Sequence, residues 1–301
     1  MRRNDRRKKV LILVGGGVYG CIPAHFLAML PEGQADLNDV DCLSGCSIGG
    51  IMAAAYGIGH SFQRIDYFFQ QEAEKCFCKR TIAKFNPLAC PTYSSDQLQH
   101  AVSKLLGCYT LGETRLAYPQ LDIFIPTLNI TKDKYKVFDN ISDRDVRLST
   151  VAMMTSAAPS YFSGVSYKGD CYIDGGLIEV APLLTATTAL KGKRRVPFSD
   201  MDVLMLGTGK DVDEKPLNTD DYNGLGLLGM ATKVIVPYVT LSNELATVYW
   251  GQNMGFNSFT YFNPCVHDGK LDDASQVPAM IEQCDKYREE FLETYNRWIS
   301  G

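Results

Sequence analysis

The chain has 301 residues, 46% of them hydrophobic and 21% charged, with a net charge of −4 and a pI of about 5.6. That is enough apolar sequence to bury the core of one large domain, and the acidic balance excludes nucleic-acid binding through a broad basic surface. Only the first nine residues are basic: Arg2, Arg3, Arg6, Arg7, Lys8 and Lys9 read as a solvated, disordered tail (1–9), with contact to an anionic membrane surface as the functional alternative.

Val10 to Val14 is a continuous β-branched and aliphatic run, the pattern of a strand buried on both faces of a parallel sheet. Five apolar residues before three glycines are too few for the hydrophobic region of a signal peptide. The expected location is therefore cytoplasmic, and the ten scattered cysteines, which lack paired C-x-x-C spacing, are expected as reduced thiols that mostly pack as small apolar residues.

Gly15-Gly16-Gly17-Val18-Tyr19-Gly20 follows the first strand, and Ile22 to Leu30 is predicted helical. Val40 to Leu43 reads as a second short strand, then comes Gly45-Cys46-Ser47-Ile48-Gly49, and Ile48 to Tyr56 is a small-residue helix able to lie close on a sheet. Leu121 to Leu128, Cys171 to Ile173 and Val203 to Leu206 are further apolar segments; the second runs into Asp174-Gly175-Gly176 and the third into Gly207-Thr208-Gly209. Strands interspersed with helices predict an α/β domain with a layered sheet covered on both faces. Residues 60–120 carry no interpretable motif.

Tyr222 to Leu241 is apolar but broken by Gly224, Gly226, Gly229, Lys233 and Pro237. That many interruptions argue against a membrane span and for a mobile flap or surface loop over an apolar cleft. From Val277, apolar residues recur every three or four positions through Ile299, predicting one C-terminal amphipathic helix docked on the core.

Two readings compete for the first glycine turn. It satisfies G-x-G-x-x-G between a strand and a helix, so it could hold the pyrophosphate of a dinucleotide, with Asp36, Asp39 or Asp41 as the ribose partner. Alternatively, its backbone N–H groups face the oxyanion of a tetrahedral intermediate. Ser47 favours the second reading, because G-x-S-x-G on a strand-to-helix turn is a nucleophile elbow in which Gly45 and Gly49 keep the hydroxyl uncrowded.

A serine hydroxyl needs a base. His25, His60, His100 and His267 stand in no catalytic context, whereas Asp174 ends a predicted strand ahead of two glycines that allow its carboxylate to be presented. An ordinary Asp is a feeble base at a pKa of about 3.9, so burial beside Ser47 has to raise it.

Taken in order, the glycine turn at 15–20, Gly45-Cys46-Ser47-Ile48-Gly49, Ser156-Ala157-Ala158-Pro159-Ser160-Tyr161-Phe162, Asp174-Gly175-Gly176 and Leu206-Gly207-Thr208-Gly209 resemble the motifs of patatin-like phospholipases. The resemblance covers residues 10–210 as a catalytic core, with 211–301 as the C-terminal part of the same domain. It implies a three-layer α/β/α fold with a central, mainly parallel sheet, and a Ser47–Asp174 dyad without histidine. The amides of Gly15, Gly16 and Gly17 become the oxyanion hole, and Gly175 and Gly176 shape the aspartate turn.

The implied substrate is a fatty acyl ester of a membrane phospholipid or other glycerolipid, reached through transient contact of a protein peripheral to the membrane. No metal or organic cofactor and no nucleic acid are implied. Bacterial members held inactive until a cyclic nucleotide or an oligomer activates them, as in antiphage defence, extend the expectation to regulation. The chain departs from the family pattern where Val14 replaces the common Asp, Tyr19 replaces the common Arg or Lys, and Glu179-Val180-Ala181-Pro182 replaces Asn-Asn-Pro.

Overall fold

In a computed structural model, which describes residues 6–31, 33, 34, 36–77, 91–211, 223, 236–267 and 272–301, the aliphatic run near the start forms the strand Lys8–Leu13, buried from Lys9 onward. In chain order the strands are β1 (Lys8–Leu13), β2 (Cys42–Gly45), β3 (Asp122–Asn129), β4 (Lys134–Asp139), β5 (Val165–Tyr167), β6 (Asp170–Asp174), β7 (Met201–Leu206), β8 (Lys210–Asp211), β9 (Ser258–Phe262) and β10 (Cys265–His267). One sheet runs in the order β5-β6-β3-β2-β1-β7-β9, with β4 also on β3, while β8 and β10 form a separate pair. The central pairings of β3, β2, β1, β7 and β9 are all parallel, and β4, β5 and β6 are antiparallel additions.

Alternation along these strands divides the core in two. Leu11 and Leu13 of β1, Leu43 of β2, Ile123 and Ile125 of β3 and Leu204 and Leu206 of β7 face one cluster, which includes residues of the helices α1 (Cys21–Ala28), α2 (Ile48–Gly57) and α3 (Phe62–Cys76). Val10, Ile12, Phe124, Val203 and Met205 face the other, against Leu183, Ala186 and Leu190. A strand that buries both sets of side chains reads as an unbroken apolar run, which is why β1 was visible in the sequence. The result is the expected α/β arrangement, with a mostly parallel sheet between helical layers.

Three expectations differ from the structure. Residues 6–9 of the basic stretch are not a free tail: Lys8 and Lys9 open β1, Arg6 and Lys8 pair with Asp41 at 3.2 and 3.4 Å, and Arg7 and Lys9 pair with Asp202 at 3.1 Å each. Charge density suggested solvation, but two buried carboxylates, one just before β2 and one on β7, on either side of β1, claim these cations. Residues 1–5 lie outside the described residues.

The C-terminal helix is two helices, Val277–Asp285 and Arg288–Ser300, because the N–H groups of Lys286 and Tyr287 turn to the carbonyls three residues back, Gln283 and Cys284. A two-residue break preserves the three- and four-residue spacing, so periodicity alone ran through it. Of the apolar stretch 222–241, residues 222 and 224–235 lie outside the described residues. From Val236 the chain is helical for 18 residues, to Asn253, with Pro237 in the first turn, where a missing N–H breaks no helical bond.

Asp202 ties the chain termini to the sheet. Its carboxylate accepts hydrogen bonds from Arg7, Lys9, Asn257 and Ser258, and its carbonyl accepts one from the Trp298 indole at 2.9 Å. Lys9 Nζ reaches on to the Trp298 carbonyl at 2.5 Å. Burial alone would raise the Asp202 pKa, but the bonds from Asn257, Ser258 and Lys9 outweigh it and hold the group below the ordinary carboxylate value.

A depressed carboxylate stabilises the fold above its unfolded pKa, and the contribution is lost as pH falls through its folded value. Asp202→Ala is therefore expected to lower the unfolding free energy by about 3–5 kcal/mol at pH 7, since it strands Lys9 as an unpaired buried charge. Urea titrations should show the gap from wild type narrowing as pH drops below about 4.

Candidate active site

The candidate residues gather where the parallel strands end. β1 runs into Gly15-Gly16-Gly17, β2 into Ser47, and β7 into Gly207-Thr208-Gly209. Asp174 arrives from the antiparallel β6, and register sets its height: Ser44 lies opposite Phe124 on β3, and Thr127, three residues further on, lies opposite Asp174. Ser47 is likewise three residues beyond Ser44. Serine and aspartate therefore meet at one level of the sheet, on either side of β3.

Ser47 sits between β2 and α2 with φ 54 and ψ −123, a left-handed conformation that a non-glycine residue rarely adopts. Close approach on both sides enforces the turn. A Cβ on Gly45 would stand 2.1 Å from the Gly49 carbonyl oxygen, and one on Gly49 would stand 2.3 Å from the Leu13 carbonyl oxygen. The strained amide of Ser47 is held by Thr155, whose Oγ1 accepts it at 3.0 Å and itself donates to the Pro126 carbonyl at 2.7 Å.

Asp174 is 5% exposed. Burial pushes its pKa up to about 6, against the opposing pull of the Gly176 amide, the Ser47 hydroxyl and the Cys46 thiol, which stabilise the carboxylate. The Gly176 N–H donates to Oδ1 at 2.8 Å and the Cys46 thiol donates to the same oxygen at 3.5 Å. The Asp174 amide donates to the Ala157 carbonyl at 3.1 Å, within the Ser156–Phe162 motif. A buried carboxylate whose proton affinity is raised and which a hydroxyl stabilises has the properties of a proton-transfer group.

The first glycine turn closes the site. A Cβ on Gly15 would come within 3.1 Å of the Ser47 Cβ, and one on Gly16 within 2.6 Å of Thr208 Oγ1, so this turn is walled by the other two. The expected trio of donors needs one correction. The Gly15 N–H is already given to the Val180 carbonyl at 2.9 Å, so Gly15 contributes close approach, and its bond ties the glycine turn to the segment after the aspartate turn.

Among the described residues no acceptor is found for the N–H groups of Gly16 and Gly17, nor for that of Ile48, the first residue of α2. Unpaired amides beside a hydroxyl, one of them at a helix N-terminus, suit a developing negative charge. Val14 and Tyr19, the two departures in this turn, are buried. The site therefore relies on amides where the family pattern often adds a cation.

Two of the four histidines are engaged elsewhere: His25 by Asp66 and Asp285, and His60 by the Leu105 carbonyl. Asp41 precedes β2 and pairs with Arg6 and Lys8 at the N-terminal ends of the strands, and Asp36 and Asp39 come before it. A ribose partner has to sit at the C-terminal ends, beside the glycine turn, so Asp36, Asp39 and Asp41 are not placed for that role. Among the described residues no group of three or more His, Cys, Asp or Glu is placed to hold a metal ion.

Sequence reasoning missed Thr155, the Val180 carbonyl and Asn243. Asn243, on the Val236–Asn253 helix, donates to the carbonyls of Gly176 and Leu177 at 3.5 and 3.3 Å. Thr155 adjoins a recognisable motif, but a hydroxyl that braces an amide across the sheet has no local sequence signal.

A family model described as patatin-like phospholipase matches residues 11–187. Among curated relatives, a cGAMP-activated phospholipase of Escherichia coli (strain TW11681) is 28% identical over 266 residues, spanning 79% of this chain and 74% of the relative. One of the same description from Vibrio cholerae is 26% identical over 270 residues, spanning 79% and 75%. Among solved structures, VipD from Legionella pneumophila aligns over 95% of this chain and 67% of its own, with a TM-score of 0.49 and 12% identity.

A carboxylate whose folded pKa is raised favours the fold below its unfolded value and costs stability as pH rises through its folded one. For a shift from 3.8 to about 6, the cost above pH 7 is roughly 3 kcal/mol. Asp174→Asn is thus expected to unfold at higher urea than wild type at pH 8. The advantage should shrink between pH 6 and 4 and be absent below; equal midpoints at every pH would contradict a desolvated carboxylate.

Proposed function

This chain belongs to the patatin-like phospholipase family and is a lipid acyl hydrolase, and on that premise we propose that Ser47 and Asp174 carry its chemistry as a two-residue dyad. The observation that carries the proposal is the placement of the buried Asp174 carboxylate at the level of Ser47 across β3, with its pKa pushed up to about 6 and the Ser47 hydroxyl among the groups that stabilise it. In the acylation step Ser47 Oγ attacks the ester carbonyl of a membrane phospholipid or other glycerolipid while Asp174 takes the hydroxyl proton. The carbonyl oxygen becomes an oxyanion, met by the free amides of Gly16 and Gly17 and, at the start of α2, of Ile48.

Collapse of the tetrahedral intermediate expels the lysolipid oxygen, which receives the proton back from Asp174 and leaves an acyl group on Ser47. Water then attacks the acyl carbonyl, giving its proton to Asp174, and release of the fatty acid returns that proton to Ser47 Oγ. An alcohol or lysolipid in place of water turns the same cycle into transacylation.

Release of fatty acid from mixed phospholipid vesicles tests the dyad. Ser47→Ala is expected to lose at least ~10³-fold in turnover, and Asp174→Asn ~10²- to 10⁴-fold, with the soluble fold intact by circular dichroism. Because the base has to be ionised, wild-type kcat/KM should climb with pH to a plateau, with a midpoint about 6. Undiminished release by both variants would sink the dyad.

Regulation by a cyclic nucleotide is part of the same proposal, supported by the relatives from Escherichia coli and Vibrio cholerae whose descriptions carry cGAMP activation. Adding cGAMP to the purified chain is expected to raise vesicle hydrolysis and to shift the chain to a larger assembly in sedimentation. Full activity as a monomer without nucleotide counts against it.

A further inference from the structure

A hydrolase that acts on bilayer lipid has to meet the bilayer, and the described parts of the two surfaces that the sequence offered for this are engaged within the fold. Arg6 to Lys9 are paired with Asp41 and Asp202. The C-terminal helices turn Met280, Cys284, Phe291, Tyr295 and Trp298 into the core. Among the described residues no helix is long and apolar enough to cross a membrane.

Ten large apolar or aromatic side chains are exposed among the described residues, and half of them belong to two elements packed together beside the aspartate turn. Leu177 and Ile178, 41% and 43% exposed, follow the aspartate turn directly. Leu245, Tyr249 and Trp250, 59%, 65% and 49% exposed, belong to the Val236–Asn253 helix. Asn243 of that helix is hydrogen-bonded to the Gly176 and Leu177 carbonyls, so the helix is fastened to the segment that carries Asp174.

Leu245, Tyr249 and Trp250 fall at i, i+4 and i+5, one face of the helix. The opposite face is committed to the protein: Thr247 and Gly251 are buried, and a Cβ on Gly251 would meet the Phe259 ring at 2.3 Å. Glu244, the one charged residue in the helix sequence, receives hydrogen bonds from Tyr261 and Asn263 and is pushed by burial up to about 7. The exposed face therefore carries no charge. It has a tyrosine and a tryptophan, residues whose apolar body and polar tip suit the boundary between acyl chains and headgroups.

We infer that Leu177, Ile178, Leu245, Tyr249 and Trp250 form the face on which this protein docks on a lipid surface, seating the Ser47–Asp174 site against the bilayer. The inference rests on the lipid-hydrolase reading of that site. An uncharged face predicts binding to zwitterionic lipid, with little dependence on salt or on anionic headgroups.

The test uses the full chain carrying Ser47→Ala, so that binding is read without hydrolysis, and phosphatidylcholine vesicles. The chain has two tryptophans; Trp298 is buried with its indole bonded to Asp202, which leaves Trp250 as the reporter. Vesicles are expected to shift tryptophan emission to the blue. Trp250→Phe should abolish the shift while co-sedimentation with vesicles persists.

A chain with Leu245→Ser, Tyr249→Ser and Trp250→Ser should co-sediment at least about tenfold more weakly. In the Ser47-intact background, its ratio of vesicle turnover to turnover of a soluble short-chain ester should fall by a similar factor. Unchanged co-sedimentation, an unchanged ratio, or loss of self-association as the sole effect of the triple substitution overturns the inference. If Ser47→Ala leaves hydrolysis intact, the dyad fails while the binding result stands by itself.

Discussion

The site depends on one uncompensated interaction, a carboxylate desolvated beside a hydroxyl. Asp174 is buried without an ion-pair partner among the described residues, and the groups that act on it are an amide, a hydroxyl and a thiol. Hydrogen bonds of this kind soften the cost of burying charge but leave the proton affinity of the carboxylate raised. A paired cation in the same place would have stabilised the fold and lowered the pKa, removing the basicity that a serine nucleophile requires.

The sheet carries that cost. Parallel strands buried on both faces give a rigid platform, and the turns at their ends can then hold strained or close-packed backbone such as Ser47 at φ 54. The Gly15 N–H bond to the Val180 carbonyl and the Thr155 brace on the Ser47 amide link the turns to one another across strands. Asp202 shows the opposite electrostatic solution at the far end of the same sheet, where two cations and two neutral donors hold a carboxylate ionised for structure. One fold thus shifts the proton affinity of two buried aspartates in opposite directions, according to whether a cation is at hand.

The proposed dyad and the proposed lipid face meet at the segment after Asp174. Gly176 stabilises the carboxylate, Val180 holds the glycine turn, and Leu177 and Ile178 emerge between them beside the Val236–Asn253 helix. A shift in that helix would be felt at the Gly176 and Leu177 carbonyls through Asn243. The apolar face and the Asp174 carboxylate are therefore mechanically close, although the helix lies outside the matched stretch 11–187.

Sequence by itself determined the local pieces: β1 from its unbroken apolar run, the elbow around Ser47 from its flanking glycines, the order of the motifs, and hence the family and the α/β class. These are legible because each depends on residues adjacent in the chain. Tertiary structure alone decided that Gly15 spends its amide on Val180 and that Arg6 to Lys9 are anchored by Asp41 and Asp202. It also decided that the C-terminal periodicity is broken at Lys286 and Tyr287, and that Leu245, Tyr249 and Trp250 face outward. Each of those outcomes is a competition for a partner distant in the chain, and hydrogen-bond acceptors, counter-charges and covering surface are assigned only when the strands are in register.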